Sequence, residues 1–517
     1  MWRTQMRALL DESRGLVSAE VQLDLHKAFE LVNRGKLIEA AAAAGYPCDV
    51  LAWGLSMYGW ARRIVFRGCV TGAMWPCRGI AAGSAFATTE LWVLLCGAIG
   101  RLCRRFPLVV FTVHVDDLAG TSSGIEDEVV EEIVDVVREV RKELDEALLL
   151  VAEHKNTVVA TIDRLATAVS KALGGVAECG TMVKKLGADY ALGAFGPHGC
   201  RNPSRKKRRT ADQCRWVRRT GDAAAAAAAA ANATVRGQQP GQQKGAGLKV
   251  RAGRWIKAKR RMNRIMNLGK GRRRLFASCV LPAANYAAEH NAWQPLELER
   301  RRGLALKGHG TCPPGVPHEF AAVTMAPSAD PAFSLPYAAV ERWARELWMA
   351  TSSGRLRPPD ALTGQELAEL HRLLCRGDRK VVQGPGRALM DAMRRLGITW
   401  DLPHTLQMEN VKLDLTMTAP AYIKKFVAGS WAAGRRARAA AALKERWSLL
   451  ETRGDRQLAA AFGAIDVEFV LDELAPGKLS DKETKALGAI VWEVLPTGQW
   501  LSRHGWRVEE ACPRGGR

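Results

Sequence analysis

No two of the 12 cysteines stand as a C-x-x-C pair, and they are scattered along the 517 residues. That absence argues against a disulfide framework and against an ordinary zinc site, and it favours a reducing, intracellular compartment. Long apolar runs are missing too. The longest, around Ala85 to Ile99, is interrupted by Thr88, Thr89 and Glu90 and is too short and too polar to cross a bilayer. The N-terminal stretch MWRTQMRALLDESRG lacks the apolar segment of a signal peptide. No internal repeat stands out. Carboxylates are in deficit: 53 Asp and Glu against 76 Lys and Arg leave a net charge of +23. Such an excess favours a polyanionic partner, nucleic acid first. It also suits an anionic membrane surface, which nothing else in the chain supports, so no membrane partner is expected.

What is present is a mixed pattern over residues 1–200. Val21 to Leu25 alternates as a strand and is followed by a helical pattern from Lys27 to Val32. A second helix, KLIEAAAAA, stops at Gly45 with Pro47 beyond. Arg63 to Arg67 has strand character, and residues 83–100 form a helix of buried type. Phe111–Val115 and Leu118–Thr121 predict a hairpin joined at Asp116-Asp117. An amphipathic helix over 125–148, a strand at 156–161, a helix at 162–173 and strand character at 182–192 complete the domain. The expected fold class is α+β, an antiparallel sheet with helices behind it. Residues 201–247 carry a basic block, Arg205 to Arg209, an alanine run and a Gly/Gln stretch, and read as a low-complexity linker. Residues 248–310 are basic and helical, and 311–517 are a helical region to which no chemistry attaches. The basic block also reads as a nuclear-import patch.

Two features carry chemistry. Asp24 lies on the strand VQLDL, where Val21, Leu23 and Leu25 share one face and Gln22 and Asp24 the other. Alone it reads as an edge residue facing water. Asp116 and Asp117 sit side by side between β-branched runs, and alone they read as a solvated turn. Together they offer carboxylates from two strands. Nucleotidyl transfer to a primer 3′ hydroxyl needs two cations about 4 Å apart, and Mg²⁺ takes one or two carboxylates besides phosphates and water. Asp24 and Asp116 would bridge the metals, with Asp117 in support.

With these residues in view, the sequence resembles the reverse transcriptases of non-LTR retrotransposons, in a diverged, protist-like form. Asp24 through Glu30, DLHKAFE, is similar to motif A, D-x-x-K-A-F-D. Arg78 through Ser84, RGIAAGS, resembles motif B, R-G-x-x-Q-G-x-P. His114-Val115-Asp116-Asp117 resembles motif C, Lys155 stands where motif D has its lysine, and Val183 to Tyr190 resembles motif E. The order and spacing of all five match over roughly residues 15–195, and a weaker likeness continues from Leu275 to Trp293.

The resemblance implies a right-hand polymerase palm, a basic thumb-like region over 248–310, and RNA-directed DNA polymerase activity. It implies an RNA template, a DNA primer and dNTPs, with two Mg²⁺ ions, or Mn²⁺, as cofactors. Asp24, Asp116 and Asp117 would be catalytic and metal-binding. Lys155 would protonate the leaving pyrophosphate. Phe29 would be a steric gate against the 2′ hydroxyl. Ala82 and Gly83 would lie at the nucleotide, with Gly79 allowing close approach of the backbone. Leu186 and Gly187 would form the primer grip. The chain departs from the pattern at Ala82, where the family has Gln, at Glu30 for Asp, and at His114 for an aromatic residue. Only 23 residues precede Asp24, so the expectation is a palm without its fingers segment. A second reading stays open: a truncated, retroelement-derived nucleic-acid-binding protein without catalysis.

Overall fold

The computed structural model describes residues 1–152, 155–180, 183–185, 188–190, 192, 246–266, 268, 272–310, 315–351, 360–376, 384–409, 411–452 and 465–492. The chain divides into two units, residues 1–250 with 372–384 and residues 251–371 with 385–517.

The first unit runs α1 (Trp2–Ser13), β1 (Val17–Asp24), α2 (Ala28–Leu31), α3 (Arg34–Ala44), α4 (Cys48–Gly59), β2 (Val65–Phe66), β3 (Cys69–Val70) and α5 (Ala87–Arg105). It continues with β4 (Val110–His114), β5 (Asp117–Gly124), α6 (Glu126–Glu146), β6 (Thr157–Ala160), α7 (Asp163–Ala172) and β7 (Glu178–Cys179). Five strands make one sheet in the order β4-β5-β1-β6-β7, and β2 and β3 form a separate ribbon. The architecture is mixed α and β, compatible with the α+β expectation. The sheet is not wholly antiparallel, however, because β6 and β7 pair in parallel. The reason is the connection: α7 carries the chain back before β7 starts, and a crossover of this kind returns a strand in the same direction.

The alternation of β1 decides which face is core. Ala19, Val21 and Leu23 are buried, as is Leu25 just beyond the strand, in one cluster with Val129, Ile133, Val136, Val137 and Val140 of α6. Burying each such larger side chain contributes about 1.5–3 kcal/mol. The hydrophobic spacing of α6 and α5 therefore seals one side of the sheet. The other face is not simply wet. Ser18 and Glu20 are buried there, and Ser18 Oγ donates to Asp11 Oδ2 of α1 at 3.3 Å. Helix α3 ends at Gly45, whose φ of 66° is the left-handed cap that glycine adopts without strain.

The second unit is largely helical. Its longest helix is Pro420–Thr452, and one hairpin pairs Thr405–Met408 with Val411–Asp414. A fully buried Asp330 accepts from Arg302 Nε at 3.2 Å and Arg435 Nη1 at 3.1 Å, and it caps the next helix through Ala332 N at 2.9 Å. Burial pushes the Arg435 pKa down, and Asp330 opposes that shift. No helix among the described residues is long and apolar enough to cross a membrane.

Candidate functional site

Strands β1 and β5 pair in an unbroken antiparallel register from Val17↔Gly124 to Asp24↔Asp117. Side chains directly opposite each other in such a pair project to the same face, so Asp24 and Asp117 are cross-strand neighbours. The hairpin turn is Val115-Asp116, with Val115 at a φ of 60°, and Asp117 opens β5 opposite His114. Sequence reasoning put both aspartates at the tip; the structure divides them between turn and strand. Asp116 stays tied to β1, because its carbonyl accepts from Leu25 N at 3.3 Å.

Two neighbours in sequence complete the site from the far side of β1. Asn156 is buried, and its Oδ1 accepts from Asp24 N at 3.1 Å. Its Nδ2 donates to the carbonyls of Ala152 at 2.7 Å and Val176 at 3.1 Å. One amide thus locks the end of β1, the entry to β6 and the loop after α7. Lys155 places Nζ 2.8 Å from Asp24 Oδ2. Its pKa is raised, chiefly by that hydrogen bond and by the Asp24 charge, with smaller contributions from Asp116 and Asp117. Three carboxylates therefore act on one ammonium.

The donor set consists of carboxylate oxygens, which suit a hard cation such as Mg²⁺. Among the described residues no three His, Cys, Asp or Glu side chains form a metal-binding group by themselves. A pair of carboxylates with a third nearby leaves coordination positions for water and phosphate oxygens, which is how Mg²⁺ is commonly held.

The segment from Arg78 to Ser84 is anchored beside α2. Gly79 N donates to Val32 O and Ile80 N to Phe29 O, each at 2.8 Å. Gly79 has a φ of +80°, and a Cβ there would lie 2.5 Å from Glu30 O, so glycine is required by both conformation and space. Phe29 is half-buried against the core. Ala82 and Gly83 are exposed, with Gly83 at a φ of +94°. Arg34 clamps the segment from behind: Nε reaches Gly79 O at 3.0 Å, Nη1 Pro76 O at 3.1 Å, and Nη2 Tyr58 O at 2.8 Å.

Behind the same segment lies a buried acid. Tyr58 Oη donates to Glu90 Oε2 at 2.7 Å, and Ser84 Oγ lies 3.1 Å from that hydroxyl. Glu90 Oε1 has no hydrogen-bond partner. Burial pushes the Glu90 pKa up and Tyr58 opposes it, while the Tyr58 hydroxyl is pushed up to about 12, mainly by burial.

Asn156, Arg34, Tyr58 and Glu90 were not singled out by sequence reasoning. Only the polar residue within the apolar pattern of α5 marked Glu90 beforehand. The strands Val183–Lys185 and Ala188–Tyr190 pair antiparallel, while Leu186 and Gly187 themselves lie outside the described residues, as does the basic block 205–209. No protein-family model matches the chain, and no curated protein matches it either.

Proposed function

We propose that the chain is the palm-bearing part of an RNA-directed DNA polymerase, adding deoxynucleotides to a primer 3′ hydroxyl on an RNA template. The observation that carries this reading is geometric: Asp24 lies opposite Asp117 at the end of two paired strands, Asp116 sits in the adjoining turn, and Lys155 Nζ lies 2.8 Å from Asp24 Oδ2. In this reading the five-stranded sheet is the palm sheet. Asp24 and Asp116 would hold two Mg²⁺ ions, or Mn²⁺, with Asp117 in support. Bound there, the cations would activate the attacking hydroxyl and steady the leaving pyrophosphate. Asn156 holds the backbone of Asp24 in place, so the carboxylate is positioned before substrate arrives. Lys155 keeps its proton at neutral pH and gives it up to the leaving oxygen once Asp24 takes another partner. Phe29, fixed through its carbonyl to Ile80, lies under the sugar; Gly79 packs its bare Cα against Glu30 O, and Gly83, with open space beside it, lets the backbone approach the base pair.

Nucleic-acid binding without catalysis is the second reading. It is favoured by the Lys155 ammonium already seated on Asp24 and by a methyl at Ala82 where the family has an amide. Primer extension on an RNA template with Mg²⁺ and dNTPs separates the two. Extension by the parent chain and its loss in Asp116→Asn support the polymerase. Retained oligonucleotide binding with no extension by the parent supports the second reading.

A further inference from the structure

Between α4 and α5 the chain carries charge of one sign only. From Val50 to Thr89 there is no Asp or Glu, while Arg62, Arg63, Arg67 and Arg78 are all present. Within this stretch β2 and β3 form a two-stranded ribbon turned at Arg67-Gly68, with φ values of 48° and 83°. It is extended by reciprocal hydrogen bonds between Arg62 and Met74 at 2.7 and 2.9 Å. Val65 opposes Val70 on one face and Phe66 opposes Cys69 on the other.

Both faces are bare. Val65 is 68% exposed, Phe66 67% and Val70 56%, with Trp60 at 66% and Trp75 at 71% flanking the ribbon. A lone two-stranded ribbon is marginal in water, and a cluster of exposed apolar side chains of this size marks a contact surface. The base of the ribbon is rigid. Arg34 holds Tyr58 O at its start and Pro76 O at its end, and the same guanidinium holds Gly79 beside α2. The ribbon is therefore built out from the segment that carries Phe29.

We propose that the ribbon from Trp60 to Trp75 is a platform for single-stranded nucleic acid, distinct from the carboxylate cluster. Bases stack on Phe66 and Trp75, and Arg62, Arg63 and Arg67 neutralise the phosphates. The inference rests on the nucleic-acid reading above and adds where the strand is held. Flat rings interleaved with arginines suit stacked bases of any sequence. Arg67 already covers one side of the Phe66 ring, its guanidinium carbon 5.3 Å from the ring centroid. The ring's other side is the one that takes a base. A protein partner covering these apolar faces would not by itself account for a stretch that carries four arginines and no carboxylate.

The test is fluorescence anisotropy of the full chain with a short labelled oligouridylate, in chelator and without nucleotides, so that no polymerisation is measured. The double change Phe66→Leu with Trp75→Leu keeps apolar bulk and removes flat rings; it should weaken binding roughly tenfold or more. Phe66→Trp should retain binding. Changing Arg62, Arg63 and Arg67 together to Gln should flatten the dependence of log affinity on log salt by about 2, the loss expected for three phosphate contacts on a single strand. No binding by the parent overturns the proposal, and so does unaltered binding in the leucine variant. A changed sedimentation profile with unaltered oligonucleotide binding overturns it in favour of a protein dock. Should the leucine variant misfold by circular dichroism, the arginine variant decides, and an unchanged salt slope overturns the platform. Failed primer extension with ribbon-dependent binding would remove the polymerase reading and leave this one standing.

Discussion

The Lys155 ammonium lies 2.8 Å from Asp24 Oδ2, joining two residues 131 positions apart at the end of the central strand. Asp24 pushes the Lys155 pKa up. The pair's contribution is therefore fully present below the ordinary lysine pKa and is lost as pH climbs through the raised value, a window at the alkaline end of the scale. Asp24→Asn should move the Lys155 titration to lower pH, read by NMR of labelled lysine side chains. An unmoved titration would mean that the pair does not form in solution.

Phe29 is half-buried and its carbonyl holds Ile80, so its ring is fixed at the edge of the core. Given extension activity, Phe29→Ala should narrow the preference for dNTPs over rNTPs, because the discrimination is steric. Asp116→Asn should cost at least about 100-fold with either sugar, since even residues one shell removed from a metal cost 10–100-fold. Paired primer extensions with dNTPs and rNTPs give both answers, and an unchanged sugar preference in Phe29→Ala would reject the gate.

Tyr58 is the hydrogen-bond donor to the buried Glu90 carboxylate, whose Oε1 has no partner. Tyr58→Phe should cost about 1.5–3 kcal/mol where Glu90 is ionised, the range for a hydrogen bond to a charged group. Burial raises the Glu90 pKa and the Tyr58 bond opposes the rise. The loss therefore belongs to the ionised form, and it should shrink as pH falls through the Glu90 pKa. Denaturant melts of both proteins across that range check it. A pH-independent difference would place the cost in packing rather than in the bond.

Asp330→Ala would leave the buried Arg435 without its carboxylate and Arg302 with the half-exposed Glu299 at 3.5 Å. Removing one partner of such a group costs about 3–5 kcal/mol. The urea midpoint for the second unit should fall accordingly. A shift below about 1 kcal/mol would mean that water relieves the arginines.

Much of this was open to local reading. Alternation alone put Val21, Leu23 and Leu25 on the buried face, and Gly45 ended α3 where expected. The hairpin at Asp116 and the span of α6 follow from short-range pattern, because turn chemistry and helical period are local properties. At one end of β1 the structure places Asp24 opposite Asp117, Asp116 in the adjoining turn and Lys155 against the Asp24 carboxylate.

Other features were decided by partners distant in the chain. The register that sets Asp24 against Asp117, with Asp116 in the turn, depends on the pairing of whole strands, and shifting it by one residue would exchange the faces. Asn156 looked like an ordinary strand opener, yet it is buried and bonds backbone groups of three segments. Glu90 read as an interruption of an apolar run; it is buried because Tyr58 from α4 supplies its hydrogen bond. Arg34 opens a helix, and its guanidinium found carbonyls only after Tyr58, Pro76 and Gly79 converged around it. Local patterning determined which elements form and which faces they bury. Long-range pairing decided which polar groups meet, because a buried donor or acceptor is stable only where tertiary structure brings its partner.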